Sequence, residues 1–295
     1  MKYIILLLLL PLSAHLLAQG NERETVLMGI GRIDITPSEP VLMSGYEARQ
    51  TPNTGIHDKL FASALCFSDS QSEVLILTTD VIGFSNAIAD EICHDISQVT
   101  GITAKHILLT ATHNHGAPSI RTYTDEISAE NERYLQSLRE KLVQVSQEAA
   151  ASLQPMRMGL GTGYCSMNIN RRAKFADGGI WLGRNQDGPC DHTVAILKFE
   201  DMQEDLLGLH VNWPCHGTAS GQDNYKITGD WPGASVRFLK EHLDGEGIIG
   251  ISAGASGDIN PIYGPGNNFK EIEAIGFNLA EEVIRIIPAL QTHPA

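Results

Sequence analysis

The alternation of strand and helix is plainest in residues 73–112, which read EVLILTTDVIGFSNAIADEICHDISQVTGITAKHILLTAT. The apolar run at 73–79 predicts a buried strand. Ser85 suits a helix N-cap, and isoleucines spaced four apart after it predict a helix that runs to about Val99. A second apolar strand is expected at residues 106–112. This order of elements is typical of α/β proteins.

The same alternation extends through both halves of the chain. Further strands are predicted at Val26–Ile35, Leu60–Phe67, Val194–Phe199, Leu206–Trp213 and Gly247–Ser252, and further helices at Glu130–Leu153, Pro232–Leu243 and Ile272–Ile287. Adjacent strands in the second half predict a hairpin, so antiparallel pairs are expected within the sheets. No change of composition marks a linker. We therefore predict an α/β fold, with mixed β-sheets flanked by helices in a single domain.

Residues 1–19 have the pattern of a signal peptide. Lys2 supplies a positive start, residues 4–12 form an apolar run, and small residues lead to Ala18, close to a suitable cleavage point. The apolar run is too short to span a bilayer. An uncleaved anchor is the alternative, and the charged residues that follow at 22–24 disfavour it. We expect a secreted or periplasmic protein whose mature domain is residues 20–295.

The net charge of the chain excludes some classes of binding partner. The chain has 21 Lys and Arg against 35 Asp and Glu, a formal net charge of −14. This argues against nucleic acid and anionic membranes but does not exclude a neutral lipid substrate. The five cysteines form no CxxC pair, so a cysteine-based zinc site is not expected. Cys165 and Cys190 could pair in an oxidising compartment, although their spacing does not require it. The oligomeric state is not predicted.

Two histidines follow the strand predicted at residues 106–112. Alternate residues along an extended chain point to the same side, so His113 and His115 can face one pocket. Neutral imidazole is the commonest metal ligand in proteins, and zinc sites use it frequently. The pair therefore indicates a metal site, and the alternative is two solvated loop histidines.

Two further loops carry polar side chains at strand ends. His216 follows the strand at 206–213 and suits a third metal ligand or a proton donor. Residues 252–261, SAGASGDINP, follow the strand at 247–252, and their small side chains let the backbone approach a ligand closely. Within them, Asp258 and Asn260 could orient a ligand histidine or contact a substrate oxygen. A simple glycine-rich turn is the alternative.

Short motifs recur in order along nearly the whole mature chain. They are GIGRIDIT at 29–36, GY at 45–46, GIH at 55–57, THNH at 112–115, NR at 170–171, PCHGT at 214–218, GD at 229–230 and GDINP at 257–261. In this order they resemble the neutral/alkaline non-lysosomal ceramidases, in the N-terminal catalytic domain of that family. Each motif alone is weak, and together they are specific.

The resemblance implies an amidohydrolase that cleaves the N-acyl bond of ceramide, a lipid, into sphingosine and a fatty acid. It implies a zinc ion, Zn²⁺, held partly by the residues that match His113 and His216. The position matching His115 would bind or protonate the substrate. Zinc activates water and polarises a carbonyl group, and His115 and Arg171 are the candidate donors to the developing oxyanion.

The resemblance also implies substrate-binding and catalytic positions around the metal. His57 and Gly45 would contact the substrate in the same pocket, and Asp258 and Asn260 belong to a catalytic motif. The family has a serine, proposed as a nucleophile, where this chain has Asn260. An amide cannot act as a nucleophile, but it can donate a hydrogen bond, so attack by metal-activated water is expected.

The resemblance does not identify all the protein ligands of the zinc ion. The family takes two more zinc ligands, a Glu and a Tyr, from a part of the domain that would lie beyond Ala295. His115 or one of the carboxylates Asp80, Asp230 and Asp258 could complete the shell, since a catalytic zinc needs about three protein ligands. The sequence does not choose among them.

Two other functions stay open at this point. The same site could hydrolyse another amide or ester, because a fold does not fix a substrate. The protein could also be a non-catalytic binding relic with an incomplete zinc site. A lipid-recognising surface is expected to expose apolar side chains near the pocket, at Pro40–Met43 or Ile120–Tyr123.

Overall fold

A computed structural model describes residues 25–69, 71–120, 127–243 and 247–295. The strands are β1 (Leu27–Asp34), β2 (Gly55–Ile56), β3 (Phe61–Ser68), β4 (Glu73–Thr79), β5 (Ile107–Ala111), β6 (Gln154–Pro155), β7 (Arg157–Tyr164), β8 (Asn168–Lys174), β9 (Ile180–Asn185), β10 (Thr193–Glu200), β11 (Leu206–Trp213), β12 (Lys226–Ile227), β13 (Ile248–Ala253), β14 (Ile259–Pro261) and β15 (His293–Pro294). The helices are α1 (Asn86–Thr100), α2 (Ala129–Ala151), α3 (Asp230–His242) and α4 (Phe269–Ile286), with short 3₁₀ turns at Ala104–His106 and Ile287–Ala289. The predicted signal peptide lies outside the described residues. No helix in the described ranges is long and apolar enough to cross a membrane.

Two five-stranded mixed sheets form the centre of the molecule. The first sheet has the order β5-β4-β3-β1-β6, and the second has the order β13-β11-β10-β7-β15. Each sheet contains one parallel pair, β4 with β5 and β11 with β13, and its other pairs are antiparallel. In each parallel pair, the chain between the two strands contains a helix, α1 between β4 and β5 and α3 between β11 and β13. The predicted hairpin of β10 and β11 is confirmed.

The helices cover one face of each sheet, and the other faces meet. Helices α1 and α2 pack on the first sheet, and α3 and α4 pack on the second. In β1 the alternation is clear, because Met28 points into the core between the sheets while Gly29 faces α2. A Cβ at Gly29 would overlap the carbonyl oxygen of Ala149, so glycine permits the close approach of helix and sheet. The predicted architecture is confirmed.

Local sequence signals set the predicted elements accurately. The Ser85 hydroxyl accepts a hydrogen bond from the Ile88 N–H at 3.4 Å and caps α1. Gly101 ends the same helix with φ of 79°, a left-handed conformation that favours glycine. The buried positions of α1 are Ile92 and Ile96, which belong to the predicted apolar stripe.

The strands between residues 154 and 185 were not predicted from the sequence. In β7 every second residue is a glycine, because the C-terminal segment packs directly on that face at Gly159, Gly161 and Gly163. Such a strand lacks the β-branched pattern on which prediction depends. The structure also corrects the disulfide alternative, since Cys165 and Cys190 are free thiols and Cys165 is buried in the apolar core of the second sheet.

Candidate metal centre

Two loops at strand ends pair with each other and create the site. The first loop follows β5 and contains His113 and His115, and the second follows β11 and contains His216. Asn114 and Gly217 form a parallel bridge between the loops, and the His115 N–H donates to the Gly217 carbonyl at 3.0 Å. This pairing places His216 beside the two histidines of the first loop.

The three imidazoles form one cluster. One nitrogen from each of His113, His115 and His216 lies within 4.8 Å of the others. The ring centroids of His113 and His216 are 4.6 Å apart, and those of His113 and His115 are 5.2 Å apart. His113 has φ of 55°, which is uncommon for a residue with a side chain and is typical of strained functional sites. In the described part of the chain this is the one group of at least three such donors that could hold a metal ion.

Backbone carbonyls fix the protonation of two of these rings. The Nδ1 atom of His113 lies 2.7 Å from the Ile82 carbonyl oxygen, and that of His216 lies 2.6 Å from the Ser256 carbonyl oxygen. A carbonyl only accepts, so Nδ1 carries the proton in both rings and Nε2 keeps its lone pair. Metal-binding histidines commonly have this type of support.

His115 has no such support. Both of its ring nitrogens are buried and have no hydrogen-bond partner. Burial lowers the pKa of His115 to about 3, with a further contribution from the neighbouring His113 and His216. Tyr46 packs edge-on against the ring at 5.1 Å, and a Cβ at Gly45, whose φ is 90°, would overlap the imidazole. The predicted binding position Gly45 therefore lies against His115.

Arg171 and Asn260 border the cluster. The Arg171 Nη1 atom is 3.2 Å from Nε2 of His216 and donates to Oδ1 of Asn260 at 3.4 Å. The Gly257 carbonyl accepts from Arg171 Nε and Nη2 at 3.1 and 2.8 Å. The backbone N–H of Arg171 also donates to the Asp258 carbonyl at 2.7 Å, which joins β8 to the glycine-rich loop. A guanidinium group is thus held at the edge of the histidine site.

A pocket of about 320 Å³ opens beside these residues. His115, Arg171 and Asn260 line it, together with Leu182 of β9 and Thr218. The Thr218 hydroxyl is buried without a hydrogen-bond partner among the described residues. Leu182 and Thr218 were not predicted as site residues from the sequence. Thr218 stands two residues after His216, and that spacing was the signal that could have identified it.

His57 does not join this group. Its ring stacks on Phe269 with a centroid distance of 3.7 Å, and its Nδ1 atom lies 2.5 Å from Asp58. Within the described residues, His57 is not part of the pocket lining. Its role in substrate binding stays a prediction.

The three carboxylates considered as further ligands point elsewhere. The Asp258 side chain accepts from Asn170 at 3.4 Å. Asp230 is fully buried and accepts from the Ser220 N–H at 2.8 Å. Asp80 lies in a different cavity. Of the candidate third ligands, the structure brings only His115 to His113 and His216, as far as the described residues extend.

Of the predicted apolar entrance, Pro40 is exposed, three other residues are buried, and the prediction for residues 121–123 is not tested. Val41, Met43 and Ile120 are buried, because they pack in the core beneath α2, and residues 121–126 lie outside the described residues. Exposed apolar side chains also occur on β9 and on the turn that joins β8 to it. They are Phe175, Ile180, Trp181 and Leu182. We call these four residues the apolar hairpin.

The residues present fit a zinc ion. Burial lowers the pKa of His216 to about 4, helped by the charge of Arg171, so His115 and His216 are neutral near pH 7, as metal ligands must be. The unpartnered nitrogens of His115 would otherwise cost free energy, since buried polar groups are nearly always hydrogen-bonded. Three imidazoles are also a known donor set for catalytic zinc.

Sequence comparison identifies the class of protein. The pattern of the family described as neutral/alkaline non-lysosomal ceramidase, N-terminal, matches residues 26–268. The chain belongs to this family.

Individual relatives agree with this assignment. Neutral ceramidase 2 of Arabidopsis thaliana is 25% identical over 257 residues, which cover 82% of this chain and 32% of that protein. The neutral ceramidase of Pseudomonas aeruginosa is 25% identical over 245 residues, covering 79% and 36% respectively. The chain therefore spans about a third of the length of these relatives.

Solved structures share the fold. A structure described as ceramidase complexed with C2 has a TM-score of 0.76 at 22% identity, and the match covers 90% of this chain and 44% of that chain. The crystal structure of neutral ceramidase from Pseudomonas aeruginosa has a TM-score of 0.75 at 21% identity, covering 90% and 45%. These matches confirm the single domain of mixed sheets flanked by helices.

Proposed function

We propose that this protein is a secreted zinc-dependent amidohydrolase that cleaves the N-acyl bond of ceramide-like sphingolipids. The observation that carries the proposal is the cluster of His113, His115 and His216 with both nitrogens of His115 unpartnered. Export by residues 1–19 and a mature domain of residues 20–295 form part of the proposal. Family membership supports the substrate class.

The three histidines would hold the metal. His113 and His216 would bind through Nε2, because their Nδ1 atoms are engaged by carbonyl groups. His115 would supply the third ligand that the sequence left open, in place of the substrate-protonating role first expected for it. Zinc, when bound, lowers the pKa of water to about 7 and polarises a carbonyl group.

Arg171 would stabilise the negative charge that develops on the substrate amide oxygen. Its Nε and Nη2 atoms are held by the Gly257 carbonyl, and a donor held in place needs little reorganisation during the reaction. The contact of Nη1 with Nε2 of His216, at 3.2 Å, would give way to the metal. Asn260 would keep this guanidinium oriented. Because its amide is not a nucleophile, the chain itself offers no covalent route at this position, and water is the proposed attacking group.

The surroundings of the pocket favour a lipid. Leu182 lines the pocket and also belongs to the apolar hairpin, whose side chains are exposed. A long acyl or sphingoid chain that leaves the pocket could therefore continue over apolar surface. The net charge of −14 disfavours nucleic acid as a partner.

Hydrolysis of a short-chain fluorescent ceramide tests the proposal. We expect release of the labelled fatty acid by the zinc-loaded protein, loss of release with a chelator, and loss in His113→Ala. His94→Ala serves as the matched control, because His94 is an exposed histidine of α1. Hydrolysis of a p-nitrophenyl ester without cleavage of ceramide would favour another amide or ester substrate. Zinc binding without hydrolysis of either would favour a binding relic.

A further inference from the structure

A second cavity, of about 390 Å³, lies between the first sheet, β13 and α3. Its lining shares no residue with the histidine pocket. Arg32 of β1 and Lys240 of α3 contribute positive charge, and Phe61, Val236 and Ile251 contribute apolar surface. We call this the basic cavity. Its volume is within the range of sites that bind small organic molecules.

Within the residues that the structure describes, the two cations of the basic cavity have no directly bonded partner, although Asp80 and Asp34 attract Arg32 over a longer distance. Across the described ranges, neither Arg32 nor Lys240 forms a hydrogen bond or an ion pair; the Arg32 guanidinium stacks 3.6 Å from the centroid of the Phe61 ring, and its Nε atom is buried without a partner. Other cations at the cavity are paired, as in Lys59 with Asp34 at 2.8 Å. Arg32 and Lys240 therefore differ from Lys59 in having no ion-pair partner in direct contact among the described residues.

Burial and mutual repulsion act on this pair. Burial lowers the pKa of Arg32, and burial together with the charge of Arg32 lowers the pKa of Lys240. Two positive groups that face one partly buried space repel each other, and an anion between them would relieve the repulsion. Arginine and lysine both form strong charge-assisted hydrogen bonds with carboxylates.

Two of the three carboxylates of the cavity wall, Asp58 and Asp80, accept hydrogen bonds, and the third is Glu241, next to Lys240. Asp58 accepts from the Gly229 N–H at 2.6 Å and from the Thr228 hydroxyl at 2.7 Å. Asp80 accepts from the Phe61 N–H at 2.9 Å, and burial raises the pKa of Asp80 to about 7. These groups do not neutralise the cations fully, but they would repel a ligand with two or more negative charges.

We propose that the basic cavity binds a monocarboxylate with an apolar chain of medium length, its carboxylate placed between Arg32 and Lys240. The apolar walls of Phe61, Val236 and Ile251 exclude a purely polar anion, and the cations exclude a neutral alkane chain as the preferred ligand. The volume of about 390 Å³ has room for about a dozen water-sized groups, which limits the chain length. The site shares no residue with the metal centre, so the proposal stands independently of the proposed hydrolase activity.

Calorimetric titration of the full chain with octanoate tests this inference. We expect saturable binding at one site per chain, binding about tenfold weaker for octan-1-ol, and no displacement of octanoate by inorganic phosphate at equal concentration. Arg32→Gln and Lys240→Gln should each weaken octanoate binding about tenfold. Lys105→Gln is the matched control, because Lys105 is an exposed lysine outside the cavity.

Thermal unfolding of each variant establishes that it is folded before titration, and Lys240→Gln keeps the test decisive if Arg32→Gln does not fold. Absence of saturable octanoate binding would overturn the proposal. So would equal affinity in Lys240→Gln and Lys105→Gln, or equal affinity for octanoate and octan-1-ol. Displacement by phosphate at equal concentration would overturn the assignment of a monocarboxylate.

Discussion

The histidine pocket and the basic cavity show opposite outcomes of the same physical effect. In the pocket, burial keeps His115 and His216 neutral, and both ring nitrogens of His115 have no hydrogen-bond partner among the described residues. In the cavity, burial acts on Arg32 and Lys240, whose ordinary pKa values are so high that they keep their charge at neutral pH. The first region is therefore suited to a cation and the second to an anion. The charge of a ligand that suits each region therefore depends on whether burial leaves neutral imidazoles or cations there.

The largest expected effect separates catalysis from metal binding in the pocket. Arg171→Gln should lower ceramide hydrolysis about 100- to 1000-fold, because a fixed donor to the oxyanion is lost. Zinc content should not change, since Arg171 is not one of the three proposed ligands. The measurement is the rate of release of labelled fatty acid together with elemental analysis. Arg172→Gln, the adjacent arginine, is the control, and an equal loss in both variants would refute the assigned role.

A smaller effect is expected from Gly45→Ala, which tests the contact between Gly45 and His115. The new Cβ would displace the imidazole, and zinc affinity should fall about 10- to 100-fold, as for changes in the support of other metal ligands. Gly101→Ala is a matched control, because Gly101 also has a positive φ, of 79°, and no atom lies within 4 Å of a Cβ there. Competition with a zinc-binding dye gives both affinities. If the two variants bind zinc equally well, the positive φ alone accounts for a glycine at position 45, and the contact with His115 does not.

Much of this pocket was predictable from local sequence. The strand at Ile107–Ala111 follows from its apolar pattern, and His113 and His115 were correctly expected to share one pocket. The reason differs from the expected strand alternation, because the strand ends at Ala111 and His113 has φ of 55°. The resemblance to ceramidases correctly identified the family and selected Arg171, which the structure places 3.2 Å from His216. The proposal of His115 as third ligand was not predictable, because it depends on Asp80, Asp230 and Asp258 lying away from the cluster in the folded chain.

The basic cavity was not predictable at all from the sequence. Arg32 lies in the GIGRIDIT motif, where nothing distinguishes it from a surface arginine. Its unpaired state arises only when β1 and α3 come together with Lys240 on the opposite wall. The apolar hairpin was missed for a related reason. Its strands depend on pairing with β14 and not on burial, so their apolar residues are exposed.

In the basic cavity, Asp80 should make stability depend on pH. Its folded pKa of about 7 is above the value of an unfolded aspartate, so the folded state binds the proton more tightly. The protonated Asp80 therefore contributes fully to the free energy of unfolding at acid pH. This contribution declines as pH rises from about 4 to 7 and is absent above pH 7, a change of a few kcal/mol. Asp80→Asn should remove this decline.

Thermal unfolding at pH 5 and pH 8 measures this difference. The melting temperature of the wild type relative to Asp80→Asn should be lower at pH 8 than at pH 5. Asp90→Asn, an exposed aspartate of α1, should show no such change in its difference from the wild type. An offset between wild type and Asp80→Asn that is the same at both pH values would contradict the account of the cavity.

The smallest effect concerns the apolar hairpin beside the histidine pocket. Trp181 is 69% exposed, so Trp181→Ser should change the free energy of unfolding by less than about 0.5 kcal/mol. It should lower hydrolysis of long-chain ceramide about fivefold through the loss of apolar contact, with short-chain ceramide less affected. Met202→Ser, at an exposed methionine outside the pocket lining, is the control. Equal rates of long-chain hydrolysis in all three proteins would exclude a role for the hairpin.

The amount of bound zinc per chain tests the central claim most directly. Elemental analysis of purified protein after incubation with zinc and removal of the excess should give about one ion per chain in the wild type and in His94→Ala. The same analysis should give almost none in His113→Ala and His216→Ala, because each loses one of three ligands. A wild-type protein without zinc, or variants that retain it, would contradict the three-histidine site.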